Sequence, residues 1–121
     1  GIGYAALFAN TTGYQNTAIG AAAGSAITTG HENTAIGAAA LSTSTTDNYN
    51  TAIGVNTLRY TIGGGSNTAV GAAALQANVT GSSNTAIGIG VLQVATASDN
   101  TAVGSNAGGA VTTGFASSSV F

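Results

Sequence analysis

The polar and apolar positions of this chain alternate within a short phrase, Asn-Thr-Ala-Ile-Gly, that recurs at a nearly constant interval. Its copies begin at Asn16, Asn33, Asn50, Asn67, Asn84 and Asn100, with Val70 and Val103 in the Ile position of two of them. Successive copies are 17 residues apart four times and 16 residues apart once. A short fixed period is typical of a solenoid, in which each repeat forms one coil stacked on the previous one.

Each phrase predicts a short strand. Thr and Ile are β-branched and favour a pleated strand, and alternation puts Thr17 and Ile19 on one face and Asn16 and Ala18 on the other. We predict that the Ile face is buried and that stacking forms one apolar ladder, made by Ile19, Ile36, Ile53, Val70, Ile87 and Val103. Leucines five residues further along pack across from it, namely Leu41, Leu58, Leu75 and Leu92.

A glycine follows each strand and predicts a corner of the coil. These glycines are Gly20, Gly37, Gly54, Gly71, Gly88 and Gly104. We expect them to tolerate substitution poorly, either because φ is positive or because another backbone passes close by.

The second half of each coil has a weaker pattern. From the Leu onward, inward and outward positions alternate with period two, which predicts a second strand. A second corner follows at Gly13, Gly30, Asp47, Gly64, Gly81 and Gly114. The Ala-rich segment between Gly and Leu leaves a single helical turn open, because Ala is the best helix former, whereas Asn56 and Gly90 in that segment favour a bend.

These patterns predict an all-β fold, a repeat β-solenoid or β-roll of about seven 17-residue coils over residues 2–116. Ser117-Ser118-Ser119 replaces the start of the phrase near the other end, so residues 117–121 are either a decaying repeat or the start of a next segment. The chain opens within a repeat, and we expect it to be a slice of a longer protein.

The composition excludes several classes of function. Charged residues are 3% of the 121, with Arg59 the one strong cation and a net charge of −2, so a basic nucleic-acid-binding surface is not available. No apolar run approaches the roughly 18 residues of a membrane span. The absence of Cys removes a disulfide framework and a thiolate metal site.

The ionisable residues are too few to predict catalysis. His31 and Glu32 adjoin beside Gly30, and we interpret them as a solvated turn whose side chains point in different directions. The positions equivalent to His31 in neighbouring coils hold Tyr14, Asn48 and Gly65, which supply no metal-ligand set. We predict no enzyme, no metal and no cofactor. Two sequences fit the N-glycosylation pattern, at Asn10 and Asn78, both predicted to point outward.

The repeated phrases, together with Thr-Thr-Gly corners at Thr11, Thr28 and Thr112, resemble the NTAIG-type arrays of phage and bacterial surface fibres. More distantly they resemble the head repeats of YadA-type trimeric autotransporter adhesins. The resemblance covers nearly the whole chain. It implies three parallel chains, each a narrow roll, packed about a common axis, and an exposed fibre that extends reach and contacts surfaces. It transfers no site residues.

Our leading hypothesis is therefore a structural repeat module of an extracellular or virion fibre, with an adhesive role, on a cell or virion surface. Its expected partners are further copies of itself, as a parallel homotrimer, and surface glycans. We place the contact between chains on the row of small residues Ala18, Ala35, Ala52, Ala69, Ala86 and Ala102. A hydrogen-bonded ladder of Asn side chains at its rim would add to that contact.

The alternative hypothesis is an ice- or carbohydrate-binding solenoid that uses a ladder of threonines. The ladder consists of Thr17, Thr34, Thr51, Thr68, Thr85 and Thr101. Regular hydroxyl ranks on a rigid sheet can order water or contact sugars. The two hypotheses differ in one structural requirement, because the alternative loses its surface if these threonines are buried.

Overall fold

A computed structural model gives the fold of the chain and describes residues 1–111 and 118–120, with side chains described up to residue 109. The strands are β1 Thr17–Ile19, β2 Thr34–Ile36, β3 Thr51–Ile53, β4 Thr68–Val70, β5 Thr85–Ile87, β6 Val94–Ala95, β7 Thr101–Val103, β8 Ala110–Val111 and β9 Ser118–Val120. The described residues contain no helix. The predicted all-β solenoid with a 17-residue spacing is confirmed.

The repeated phrases form one parallel sheet in the order β1-β2-β3-β4-β5-β7-β9. Identical positions pair, for example Thr17 with Thr34, Ala18 with Ala35 and Ile19 with Ile36. The short interval between the last two phrases does not disturb this register, because Thr85 still pairs with Thr101. β9 pairs with β7 in the same register, so the serines that replace the phrase do not end the sheet. The division at residue 117 stays a prediction, and the corner at Gly114 and the motif at Thr112 lie outside the described residues.

The face of the sheet that is buried is the Ala face, not the Ile face. The six alanines of the phrase are at most 2% exposed, whereas Ile19, Ile53 and Ile87 are 40%, 37% and 43% exposed. The predicted ladder of Ile and Val is formed in register, but the prediction that it is buried is wrong. The buried leucines share one core cluster with the alanines. Because interiors are close-packed, a narrow coil that already holds a leucine is filled by a methyl group and has no room for a second branched side chain.

The leucines are buried in the core, as the pattern predicts. Leu41, Leu58, Leu75 and Leu92 are at most 2% exposed and belong to the same core cluster as the alanines. Packing of Leu against Ala therefore replaces the predicted packing of Leu against Ile. A core this thin draws much of its stability from hydrogen bonds between coils.

A buried ladder of asparagines supplies many of those hydrogen bonds. Asn50 and Asn67 lie inside the coil beside the alanines, as strand alternation requires, and are fully buried. The side-chain carbonyl of Asn33 accepts the backbone N–H of Asn50 at 3.0 Å, and the Nδ2 of Asn50 donates to the carbonyl of Gly64 at 3.0 Å. The predicted ladder exists, but it lies within each chain instead of at the rim of a contact between chains.

Five of the six corner glycines meet both conditions that predict intolerance, and Gly104 meets one of them. At Gly37, φ is 128°, and a Cβ atom would lie 2.6 Å from the carbonyl carbon of Gly54 in the next coil. The same combination recurs at Gly20, Gly54, Gly71 and Gly88, and Gly104 also has a positive φ of 124°. Glycine is required here because the backbone occupies the left-handed side of φ space and the next coil passes against it.

Residues with a positive φ set the path of the backbone through the rest of the coil. Ala22 and Ala39 have φ values of 58° and 57°, so the Ala-rich segment bends and the helical turn left open by the sequence does not form. Leu58 and Leu75 have φ values of 48° and 49° although a bulky residue rarely adopts this conformation.

The prediction of a second strand after each Leu is largely wrong. Among the described residues a regular strand follows the Leu pattern only at β6 and β8, which pair with each other. The left-handed Leu turns the chain, so the next buried position comes three residues later, at Ser44, Thr61 and Asn78, which the alternation put outside. Ile62 and Val79, predicted to point inward, are exposed. Backbone hydrogen bonds still join neighbouring coils here, as from Tyr60 N–H to the carbonyl of Gln76 at 2.8 Å.

Candidate functional surfaces

Two parallel ranks of side chains cover the outer face of the sheet, one of Thr and one of Ile or Val. We call this surface the Thr–Ile face, and it consists of Thr17, Ile19, Thr34, Ile36, Thr51, Ile53, Thr68, Val70, Thr85, Ile87, Thr101 and Val103. Every member is exposed or half-buried. The threonines are thus on the surface together with the Ile and Val side chains.

The Thr–Ile face is a regular two-dimensional array because the sheet is in register. Neighbouring strands lie about 4.8 Å apart, and alternate residues of one strand lie about 6.6 Å apart. The structure gives no protein hydrogen-bond partner to the hydroxyls of Thr17, Thr34, Thr51, Thr68 and Thr85. The face carries no charge, and its hydroxyls and methyl groups are open to another surface or to water.

The two surface predictions have opposite outcomes. The Ala row, predicted as the contact between chains, is buried within the chain, so that assignment is wrong. The Thr ladder is not buried, so the alternative hypothesis keeps the surface that it needs.

Three aromatic rings lie together at the corner that precedes the phrase. Tyr14 stacks on His31, with ring centroids 4.6 Å apart and planes 11° apart. The ring of Tyr49 is perpendicular to that of His31, with centroids 5.2 Å apart and planes 89° apart. Tyr14 and Tyr49 are 54% and 53% exposed. We call this cluster the aromatic corner.

The aromatic corner was not predicted from the sequence. Tyr14 and His31 occupy equivalent positions, but Tyr49 stands one position later in its coil, so no single repeat position is aromatic. The available signal was the presence of rings in three successive coils of a chain with few aromatics.

The sequence interpretation of His31 and Glu32 also needs correction, because their side chains do not diverge, with His31 Nδ1 3.7 Å from Glu32 Oε1.

The remaining candidate residues lie at or near the second corner of the coil. Asn78 is fully buried and its Nδ2 donates to the carbonyl of Gly81 at 2.7 Å, so its predicted outward position is wrong. Asn10 is half-buried. Asp47 lies at a corner as predicted, where its carboxylate accepts the Ser44 hydroxyl at 3.0 Å and the Gly63 N–H at 2.8 Å.

Other kinds of site are not found in the part of the chain that the structure describes. It has no enclosed pocket, and no three His, Cys, Asp or Glu side chains lie close enough to hold a metal ion. No helix long and apolar enough to cross a bilayer occurs among residues 1–111 and 118–120. Comparison with models of protein families, with curated proteins and with solved structures finds no match to this chain.

Proposed function

We propose that this chain is a structural repeat module of an extracellular or virion fibre. The observation that carries the proposal is the unbroken in-register sheet that runs from the bridge between Ile2 and Ile19 to β9. Each added coil continues the same hydrogen-bond pattern, so the module lengthens by about 4.8 Å per coil without changing its width. Length at constant width is the property that a fibre needs.

The hydrogen bonds between coils also suit a fibre that bears load. Strand pairing and the Asn ladder join each coil to the next along the direction of stacking, as in the bond from Asn84 N–H to the side-chain carbonyl of Asn67 at 2.9 Å. A pull along that direction is therefore shared by several hydrogen bonds per coil. The near absence of charge means that little repulsion opposes the close stacking of identical positions.

Electron microscopy of the native parent protein in negative stain tests the fibre. We expect uniform unbranched filaments whose straight segments include this module. Discrete globules in place of filaments would contradict the proposal.

The proposal includes about seven coils per chain and assembly as a parallel trimer, with the Thr–Ile face as the contact. This face replaces the Ala row because it is the surface on which apolar side chains recur in every coil, as at Ile19, Ile53 and Ile87. Identical parallel chains meet in the same register, so that Ile or Val ranks would face each other over the whole length. No charged residue interrupts the face.

Sedimentation equilibrium tests this contact. We expect the chain to sediment as a trimer and the variant Ile53→Lys to dissociate, because a lysine in an apolar contact loses its hydration. The matched control is Val79→Lys, whose side chain has nearly the same exposure, 39% against 37%, but lies outside the Thr–Ile face. A monomer at all concentrations would contradict the trimer and leave the microscopy to decide on the fibre.

One observation favours ice binding as a second candidate function. The unpaired threonine hydroxyls stand in ranks beside methyl groups on a rigid array, an arrangement that can hold water in a regular lattice. If this function is correct, the chain slows the recrystallisation of ice, Thr51→Lys abolishes the effect, and Thr45→Lys, on an exposed threonine outside the face, preserves it. Unaltered ice growth would exclude this candidate. A trimer that covers the Thr–Ile face would also exclude it.

A further inference from the structure

The aromatic corner has exposed ring surface that the coil does not require. In other coils the position of His31 is taken by Asn48, Gly65 and Ser82, and the position of Tyr49 by Ser66 and Ser83. Those coils keep the same left-handed backbone, with φ of 59° at Ser66 and 60° at Tyr49. The fold therefore accepts small polar residues where the first three coils carry rings.

We propose that the aromatic corner binds a neutral pyranose sugar. One face of a pyranose ring is lined by C–H groups, and these pack against the negative face of an aromatic ring while the hydroxyls remain free for hydrogen bonds. Tyr14 covers one face of His31, and the plane of Tyr49 is perpendicular to that ring. Each tyrosine exposes about half of its surface, so a pyranose can pack on the ring face that its neighbours leave open.

Polar groups around the aromatic corner supply the hydrogen bonds. Glu32, whose side chain is 41% exposed, presents a carboxylate beside His31, and the two tyrosines carry phenolic hydroxyls. The exposed Gln15 follows Tyr14 directly. The open ring faces and the polar groups at their edges match the C–H face and the hydroxyls of a pyranose.

Charge selects neutral sugars over acidic ones. The carboxylate of Glu32 lies at the corner, the chain has a net charge of −2, and its one arginine, Arg59, is held elsewhere against Tyr60. A sialic acid or uronic acid would bring a second negative charge with no cation to pair it.

The backbone holds the rings in place before any ligand arrives. Glu32 N–H donates to the carbonyl of Tyr14 at 3.1 Å, and Tyr49 N–H donates to the carbonyl of His31 at 3.2 Å. His31 N–H donates to the Asn48 side-chain oxygen at 2.9 Å. Because the three coils are fixed to one another, little conformational freedom is lost on binding.

The sugar site rests on the proposed function, because it assigns a class of ligand to the proposed fibre. The two fail separately, because sugar binding is measured on the isolated chain and filament formation on the native material without sugar.

The test is saturation-transfer NMR on the full chain with lactose and N,N′-diacetylchitobiose as neutral probes and sialyllactose as the acidic probe. We expect transfer from aromatic protons to ring C–H protons of at least one neutral disaccharide, little transfer to sialyllactose, and sugar-dependent shifts of the His31 ring protons. The two neutral probes also distinguish a galactoside from an N-acetylated sugar as the source of the pyranose.

Substitutions taken from the chain's own repeats serve as variants. Tyr14→Ser and Tyr49→Ser are expected to weaken binding about tenfold each, the loss of one stacking contact. The matched control, Tyr60→Ala, removes a tyrosine that is 42% exposed and restores the residue found at Ala77, and it leaves binding unchanged. Absence of transfer to both neutral sugars would overturn the proposal, as would a loss of binding in Tyr60→Ala equal to that in the other variants. If a variant fails to fold, the sugar-dependent shifts of the His31 ring protons in the original chain still locate the site.

Discussion

The side-chain carbonyl of Asn50 accepts two hydrogen bonds from Asn67 in the next coil, one from the backbone N–H at 3.0 Å and one from Nδ2 at 3.1 Å. Both residues are fully buried. The Nδ2 of Asn67 also donates to the carbonyl of Gly81 at 3.0 Å, and its side-chain carbonyl accepts the N–H of Asn84 at 2.9 Å. The side-chain amide of Asn67 therefore joins its own strand to the following corner and to the next strand.

Asn67→Asp tests the energetic weight of this ladder. The aspartate keeps an acceptor for Asn84 but loses the Nδ2 donor and places a carboxylate against two oxygens, so we expect the free energy of unfolding to fall by roughly 3 to 5 kcal/mol at neutral pH. The measurement is chemical denaturation. Asn48→Asp is the control, because Asn48 is half-buried and uses its oxygen to accept the His31 N–H, which an aspartate also accepts. An equal loss in both variants would show that the ladder has no special weight.

Because Ala52 is buried and Ile53 is exposed, we expect substitutions at these adjacent residues to differ in their cost to stability. Ala52→Ile forces a branched side chain into the filled core, and overpacking of this kind costs about 1 to 3 kcal/mol. Ile53→Thr, on the outer face, is expected to cost less than about 1 kcal/mol, because the side chain is partly solvated and Thr retains the β-branch. Denaturation of the two variants at low protein concentration checks this order, and the reverse order would return Ile to the core.

Two glycines with positive φ allow the cost of backbone strain to be measured separately from the cost of a close contact with the next coil. Gly37→Ala combines a positive φ with a Cβ atom 2.6 Å from the carbonyl carbon of Gly54, and we expect a loss of stability well above that of Gly63→Ala. Gly63 also has a positive φ, of 87°, but a Cβ atom there would have no described atom within 4 Å beyond its own chain neighbours, so its substitution is expected to cost only about 1 to 2 kcal/mol. Similar melting temperatures for both variants would mean that the contact between coils is unimportant.

Gly24 and Ile27 form a compensating pair in the second coil. Gly24 stands where other coils have a buried Leu, and a Cβ there would lie 3.0 Å from Cδ1 of Ile27, which is 1% exposed. In the next coil Leu41 is accompanied by the small Ser44 at the position of Ile27. We expect Gly24→Leu to be destabilising through overpacking and Ile27→Ser through a cavity, whereas the double variant is much closer to the original stability. Additive losses in the double-mutant cycle would contradict this compensation.

The sequence predicts the period, the register and the corner glycines because each depends on residues that recur at fixed positions. It does not predict which face of Thr17-Ala18-Ile19 is buried, because Ala and Ile are both apolar and available space, not hydrophobicity, decides between them. The left-handed backbone at Leu58 has no local signal either, since Leu is not a residue that favours positive φ. That conformation then shifts every buried position that follows it, and so Thr61 is inside and Ile62 outside.

Fibre diffraction from oriented native filaments measures whether the coils stack along the long axis of the fibre, as the proposed function requires. Strands stacked along the axis place the reflection of about 4.8 Å on the meridian of the pattern. We predict a sharp meridional reflection at this spacing. A reflection of the same spacing on the equator would mean that the coils stack across the filament, and the account of the chain as a lengthwise fibre module would be wrong.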